Sequence, residues 1–379
     1  MKIAFYAPLK PPASPVPSGD RLIGRLLMQA LEEVGHRVEL MSHFRSYDGG
    51  GDAKRQQRLQ AVGRKLANRI IRRLNNQTPA DRPKIWLTYH LYHKAPDWIG
   101  PQVARAFGIP YVVAEASFAP KQEGGPWAIG HEAVRNILAE ADMVIGLNSE
   151  DATCVIPCLG SPGRYQRVRP FLNHQPFTDA AVDRGLHRQT IAEDLSLDTE
   201  SPWLLTVAMM RPGDKVESYE ILANALALIS DEKWNLLVVG SGLAEDQVRA
   251  LFSDFSDRVF WLGRIDADKL AAVYASSDIF VWPAVKESPG MCFLEAQAAG
   301  IPVVGSDAGG VPDVVDHGKS GLLAKHLDVN DFTSSVRCLL KEERKRQEMG
   351  KAASLNIAAH HGTQAAGQRL SSLLSGLLQ

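Results

Sequence analysis

Ten short apolar runs, separated by segments with helical spacing, limit what this chain can fold into more than any other feature of it. In the first half they are KIAFY (2–6), RVELM (37–41), KIWLT (84–88), PYVVA (110–114) and DMVIGL (142–147). In the second half they are WLLTVA (203–208), WNLLVV (234–239), RVFWL (258–262), DIFVW (278–282) and IPVVG (301–305). Strands that alternate with helices in this way build α/β units around a parallel sheet. The expected fold class is therefore α/β, with two Rossmann-like, doubly wound domains. A polar stretch rich in Asp, Arg and Thr at 173–200 reads as the linker between them. The first domain is expected over 1–172 and the second over 201–359, with a C-terminal helix at about 360–379 packing back on the first. Ligands of such sheets bind at the carboxyl ends of the strands, which places the expected site in the cleft between the domains.

Composition excludes several functions. A formal net charge of −1 over 379 residues argues against a nucleic-acid-binding protein as a whole. No apolar run approaches the roughly 18 residues that a membrane span needs. The N-terminal MKIAFYAPLK reads as a first strand, its apolar part being too short for a signal peptide. Cys154, Cys158, Cys292 and Cys338 lack the paired spacing of a zinc site, and a disulfide framework is not expected. The expectation is a cytoplasmic protein with no bound metal.

Chemistry concentrates in KESPGMCFLEAQAAG (286–300). Ser288 suits a helix N-cap and Pro289 the first helical position, where its missing N–H is not needed. Gly300 then suits the left-handed stop. Glu287 lies in the loop before this helix and Glu295 in its second turn. Between them stand the unpaired amides of a helix N-terminus, which attract an anionic group such as a phosphate. Gly290 would let a ligand approach that backbone closely. The helix is otherwise apolar or small, so it should be buried, and a buried carboxylate needs a partner.

A second loop, MMRPGDK (209–215), follows the strand at 203–208 and brings Arg211 and Lys215 to a Pro-Gly turn. Arg grips a phosphate bidentately and Lys adds a point charge. Carboxylates are poor phosphate ligands but good acceptors from sugar hydroxyls. Two cations, a helix N-terminus and flanking carboxylates together suit a ligand with a diphosphate and sugars, a nucleotide-sugar. The segment VVGSGLAED (238–246) imitates part of a dinucleotide fingerprint through Gly240 and Gly242, but Glu245 stands at the third glycine position and the segment reads as a tight turn.

From about 203 to 325 the chain resembles the glycosyltransferase family 4 group of retaining enzymes with the GT-B fold. The resemblance is carried by the E-x7-E spacing of Glu287 and Glu295, by LEAQAAGIPVVGSDAGGVPDVV and by the glycine of GKSGLL. It implies that Arg211 and Lys215 hold the donor diphosphate, that Glu287 contacts the donor sugar and that Glu295 contacts the ribose. Amides near Gly290, Met291 and Cys292 would meet the phosphate and sugar. It also implies a metal-independent hexosyltransferase with no cofactor beyond a UDP- or GDP-sugar donor. The chain departs from the pattern in having Val216 after the lysine and Asp313 for the late glutamate, and in lacking a histidine after the fourth strand. Glu115 ends that strand instead, and it is assigned to the acceptor side or the reacting centre.

The first half is expected to take the acceptor, a glycan, a lipid-linked sugar or a small molecule. Gly19, in PSGDR (17–21), opens the first helix, where it would face the donor diphosphate. His90, His93 and His131 are read as structural or surface histidines. The basic segment 53–74 repeats Leu59, Val62, Leu66, Ile70 and Leu74 at helical spacing, and such helices either dock on their own domain or lie on an anionic membrane. The function expected is sugar transfer with retention of configuration. A nucleotide-sugar epimerase or hydrolase on the same fold, and a binding module without turnover, are the alternatives.

Overall fold

The structure is a computed structural model that describes residues 1–14, 18–288 and 290–378. It divides into two compact units, Met1–Arg169 with Thr363–Gln379, and Pro170–Gly362.

Unit one runs β1 (Lys2–Tyr6), α1 (Gly19–Glu33), β2 (Arg37–Ser42), α2 (Ala53–Asn75), β3 (Ile85–Leu91), α3 (Gly100–Phe107) and β4 (Tyr111–Ala116). It continues with α4 (Ala128–Glu140), β5 (Met143–Gly146), α5 (Ala152–Val155) and β6 (Tyr165–Arg167), and closes with the terminal helix Thr363–Gly376, which packs on α1. The sheet order is β2-β1-β3-β4-β5-β6 and every pairing is parallel. Ile3–Tyr6, Ile85–Leu87 and Val112–Ala114 are wholly buried, as strands covered by helices on both faces must be. The buried stripe of α2 differs from the one expected. Gln56, Gly63, Ala67, Ile70 and Leu74 face inward, while Val62 is turned to solvent at 42% exposure. Small residues at 63 and 67 allow a close approach to the neighbouring helices, and that packing selects the face.

Unit two opens with α6 (Gln175–Val182) and α7 (Arg184–Leu195). It continues with β7 (Trp203–Val207), α8 (Asp214–Ala227), β8 (Asn235–Val239), α9 (Glu245–Ala250), β9 (Val259–Gly263), α10 (Ala267–Ser276), β10 (Ile279–Trp282) and α11 (Met291–Ala298). Last come β11 (Val303–Ser306), β12 (Gly321–Ala324), α12 (Val329–Lys341) and α13 (Glu343–His360). Its sheet has the parallel order β12-β11-β10-β7-β8-β9.

The stretch 173–200, expected as a linker, instead forms α6 and α7 and belongs to unit two. Its polar composition has a structural cause. Arg184 and Arg188 grip Asp278 at 2.7 and 3.0 Å, and donate to the carbonyls of Ser277 and Ser276 at 2.6 and 2.7 Å. Those carbonyls are at the C-terminal end of α10, where cations complement the helix dipole. Charges that suggested solvent are there to dock two helices.

Candidate active site

In unit two the relevant loops lie at the carboxyl edge of the sheet. The backbone of 208–210 runs beside that of 239–241, with Ala208 N–H donating to the Val239 carbonyl and Met210 N–H to the Ser241 carbonyl, both at 3.0 Å. A Cβ on Gly240 or Gly242 would collide with the carbonyls of Ala208 or Met210, so these glycines serve a close backbone approach between two loops. That accounts for the resemblance to a dinucleotide fingerprint.

Arg211 and Lys215 are not equivalent. Gly213, with φ of 87°, is the N-cap of α8, so Lys215 lies in the first helical turn and not on the turn with Arg211. Arg211 is exposed and has no hydrogen-bond or ion-pair partner among the described residues. Lys215 is buried, with its ammonium paired to the Glu287 carboxylate and 5.3 Å from the centre of the Trp282 ring. A cation at a helix N-terminus opposes the dipole, and the nearby carboxylate offsets this.

The loop that carries Glu287 is held from two sides. Val285 N–H donates to Ser218 Oγ of α8 at 3.1 Å, and Gly310 N–H donates to the Glu287 carbonyl at 2.8 Å. Gly309 lies so close to the Glu287 backbone that a Cβ there would strike its carbonyl. Nothing in AGGVP as a sequence points to this clasp by Gly309 and Gly310, which only the fold brings to the Glu287 loop.

Helix α11 starts later than expected. Its N-cap is Gly290, in the left-handed conformation with φ of 67° and ψ of 52°, and no side chain caps it. Ser288 is therefore not the cap, because a left-handed residue at 290 breaks any helix begun before it. Pro289 lies outside the described residues. The amides of Met291 and Cys292 open the first turn, while Phe293, Leu294, Ala296, Gln297 and Ala298 are buried. Glu295, in the second turn, accepts from the Tyr274 hydroxyl at 2.8 Å, so its partner is a tyrosine. Burial raises the Glu295 pKa, and the Tyr274 hydrogen bond opposes that rise only in part. Burial likewise pushes the Cys292 thiol well up, with the Glu287 charge adding to the effect and Lys215 opposing it. Cys292 is thus a neutral group flanked by Glu287, Lys215 and Glu295.

Unit one presents a second constellation. Gly19 is the exposed first residue of α1, after Ser18, and a Cβ there would meet nothing within 4 Å. Lys10 donates to Ser18 Oγ at 2.9 Å and pairs with Asp20. His90 Nδ1 lies 3.1 Å from Asp20 Oδ1. Burial alone would raise the Asp20 pKa, but the hydrogen bonds and charges of His90 and Lys10 outweigh it and hold the carboxyl well below its ordinary range.

Glu115 is buried at 8% exposure, and its Oε2 has no hydrogen-bond partner. Burial raises its pKa, the charges of Asp151 and Asp20 add to that, and His90 opposes it. Burial would lower the His90 pKa, but the Asp20 hydrogen bond and the charges of Glu115, Asp20 and Asp151 raise it overall. His131 stacks on Phe118 at 4.5 Å and meets the Ala119 carbonyl at 3.0 Å, a structural role. Of the structural and surface roles read for the histidines, His90 fits the structural one, since it is tied into a half-buried charge cluster. Among the described residues, no group of three or more His, Cys, Asp or Glu side chains could hold a metal ion.

Residues 201–342 match the family model described as "Glycosyl transferases group 1". Over 140 residues the chain is 33% identical to the sulfoquinovosyl transferase SQD2 of Arabidopsis thaliana, covering 36% of this chain and 27% of that protein. Over 250 residues it is 26% identical to a GDP-mannose-dependent phosphatidylinositol monomannoside mannosyltransferase of Corynebacterium glutamicum, covering 64% of each. The chain thus spans between 27% and 64% of the length of these two relatives.

Among solved structures, the sucrose-phosphate synthase of Thermosynechococcus elongatus superposes with a TM-score of 0.73 at 22% identity, over 100% of this chain and 99% of that one. Anabaena HepE in complex with UDP gives a TM-score of 0.73 at 15% identity, over 99% and 100%. With two Rossmann-like α/β units, the chain has the GT-B fold of these structures.

Proposed function

We propose that this protein is a metal-independent glycosyltransferase that moves a sugar from a UDP- or GDP-sugar to a hydroxyl acceptor with retention of configuration. The observation that carries the reading is the convergence on Cys292 of a buried Lys215–Glu287 pair, the amides that open α11 and the Tyr274-bound Glu295. All of these lie within the segment that matches the glycosyltransferase model, and a structurally similar protein, HepE, has been seen with UDP.

In this reading Lys215, Arg211 and the Met291 and Cys292 amides stabilise charge that develops on the leaving diphosphate. The carboxylate of Glu287 accepts hydrogen bonds from the donor sugar, and that of Glu295 from the ribose. Unit one takes the acceptor, with Gly19 and the start of α1 on the diphosphate side and Glu115 at the acceptor. Helix α2 adds a basic face. It carries Lys54, Arg58, Arg64, Lys65, Arg69 and Arg72 exposed and has no acidic residue, which suits peripheral contact with an anionic membrane and a lipid-linked acceptor at its cytoplasmic face. No helix among the described residues is long and apolar enough to cross a membrane.

Thermal unfolding with UDP and with GDP tests the donor half, because a ligand that binds only the folded state raises its apparent stability. One of the two should raise Tm, and the matching sugar nucleotides should then be screened for turnover. No shift with either nucleotide would refute the reading.

A further inference from the structure

Strands β3 and β4 share an unusual kink. Tyr89 pairs with Ala114 and Leu91 with Ala116, so His90 and Glu115 stand opposite each other in register. Both are left-handed, with φ of 57° and 60°. A residue with a Cβ avoids this conformation, and two facing each other in a buried parallel sheet store strain of the kind that gathers at functional sites.

The same spot leaves polar atoms without partners. Glu115 Oε2 and the Tyr89 hydroxyl are buried close enough to influence each other, yet neither is at full hydrogen-bond distance from a partner among the described residues, and Tyr89 is only 1% exposed. His90 uses Nδ1 on Asp20, and its side chain is 18% exposed, so the ring keeps a nitrogen for a ligand to reach. The charges facing this cluster are Lys10 from the loop after β1, Asp20 from α1, Glu115 from β4 and Asp151 from the residues before α5. The acids Asp20, Glu115 and Asp151 outnumber the cations Lys10 and His90, with donors on His90 and Tyr89 and an acceptor on Glu115. A hydroxyl both donates and accepts, so it satisfies such a set, whereas a phosphate would face unpaired carboxylate oxygens.

We infer that His90, Glu115 and Tyr89 form a subsite for a neutral hydroxyl group, through which a polyol or sugar acceptor is held. Asp20 and Lys10 are positioning residues that fix the His90 ring. The inference rests on unit one being the acceptor half of a glycosyltransferase, so its test is separable from the test of the donor half.

The full chain labelled on histidine would be followed by NMR, with the His90 signal identified by its loss in His90→Asn. Titration with myo-inositol, glucose and inorganic phosphate should move that signal with at least one polyol and not with phosphate. Glu115→Gln should weaken the polyol response about tenfold, the usual effect of losing a hydrogen bond to a charged group. Glu115→Gly removes both the strain and the unpartnered carboxylate, so its Tm should rise while the polyol response disappears.

A signal that answers phosphate alone, or neither polyol, overturns the subsite. So does a Glu115→Gln protein that responds like wild type, or a Glu115→Gly protein that loses stability. UDP and GDP are tested separately in the same preparation: failure of both refutes the donor reading and leaves the His90 result standing.

Discussion

Lys215 and Glu287 form the most tightly specified ion pair of the candidate site, and breaking it from each side should give unequal results. Their side chains are 9% and 18% exposed. Exposed pairs contribute about 0–1 kcal/mol, while removing one partner of a fully buried pair costs about 3–5 kcal/mol. This pair is mostly buried, so Lys215→Met, which keeps contact with Trp282 but strands Glu287, should cost about 2–3 kcal/mol. For a unit of about 190 residues that is a Tm lower by about 5–10 °C. Glu287→Gln should cost less, because the lysine stem is flexible enough to carry its ammonium towards water. The double variant Lys215→Met/Glu287→Gln should be more stable than Lys215→Met alone, since no charge is stranded.

Ligand binding separates the two residues further. Glu287 occupies the ammonium proposed to meet the diphosphate. Glu287→Gln frees Lys215 and should bind UDP or GDP at least as tightly as wild type. Lys215→Met should lose about tenfold or more, the value of one charge-assisted hydrogen bond. Thermal unfolding and calorimetric titration of the full chain measure both effects. Strictly additive stability losses in the double variant would refute the stranded-charge argument, and equal losses of diphosphate affinity in the two single variants would refute the assignment of Lys215 to the phosphate.

Three further outcomes are expected. Arg211→Ala should weaken nucleoside diphosphate binding far more than nucleoside binding, with little change in Tm because the side chain is exposed; equal weakening of both ligands would place Arg211 elsewhere. Burial raises the Glu295 pKa in the folded state, so the stability linked to its proton is fully present below the unfolded value and lost as pH rises through the folded one. Glu295→Gln should therefore raise Tm at pH 7 and lose that advantage near pH 4, while weakening UDP or GDP binding; a lower Tm at pH 7 would contradict the burial argument. Gly309→Ala forces a left-handed alanine against the Glu287 carbonyl and should cost about 1–2 kcal/mol or more, together with use of the intact sugar nucleotide; wild-type behaviour would show that the clasp on Glu287 is dispensable.

What could be read in advance follows from how much of each element's surface is buried. All ten apolar runs are strands, most of them because a strand buried on both faces has no room for polar residues, while β2 and β9 are partly exposed edge strands. Strands β6 and β12 lie outside those runs because YQR is polar and partly exposed, and GLLA is a four-residue edge strand that begins with glycine. Helices α6 and α7 read as a linker because only Ala192 of their residues is buried, and arginines do the docking that apolar residues usually do. Spacing along the chain identified Glu287 and Glu295 as a pair, but not their partners. Lys215 and Tyr274 come from α8 and α10, and no local pattern links them to α11.

His90 and Glu115 show where local reasoning stops. A parallel strand covered on both faces offers no wet side for an ionisable group, so the glutamate inside VVAEA must be functional or paired. Reading VVAEA alone leaves these two outcomes equal. The structure turns the backbone left-handed at Glu115, and does so at the same level in the neighbouring strand, where TYHL places a histidine. One such kink could be an accident of a strand end. Two in register, each costing about 1–3 kcal/mol, persist only if the surrounding fold enforces them. Strain of this kind contributes nothing to stability, and the hydroxyl subsite proposed at this edge supplies a reason for keeping it.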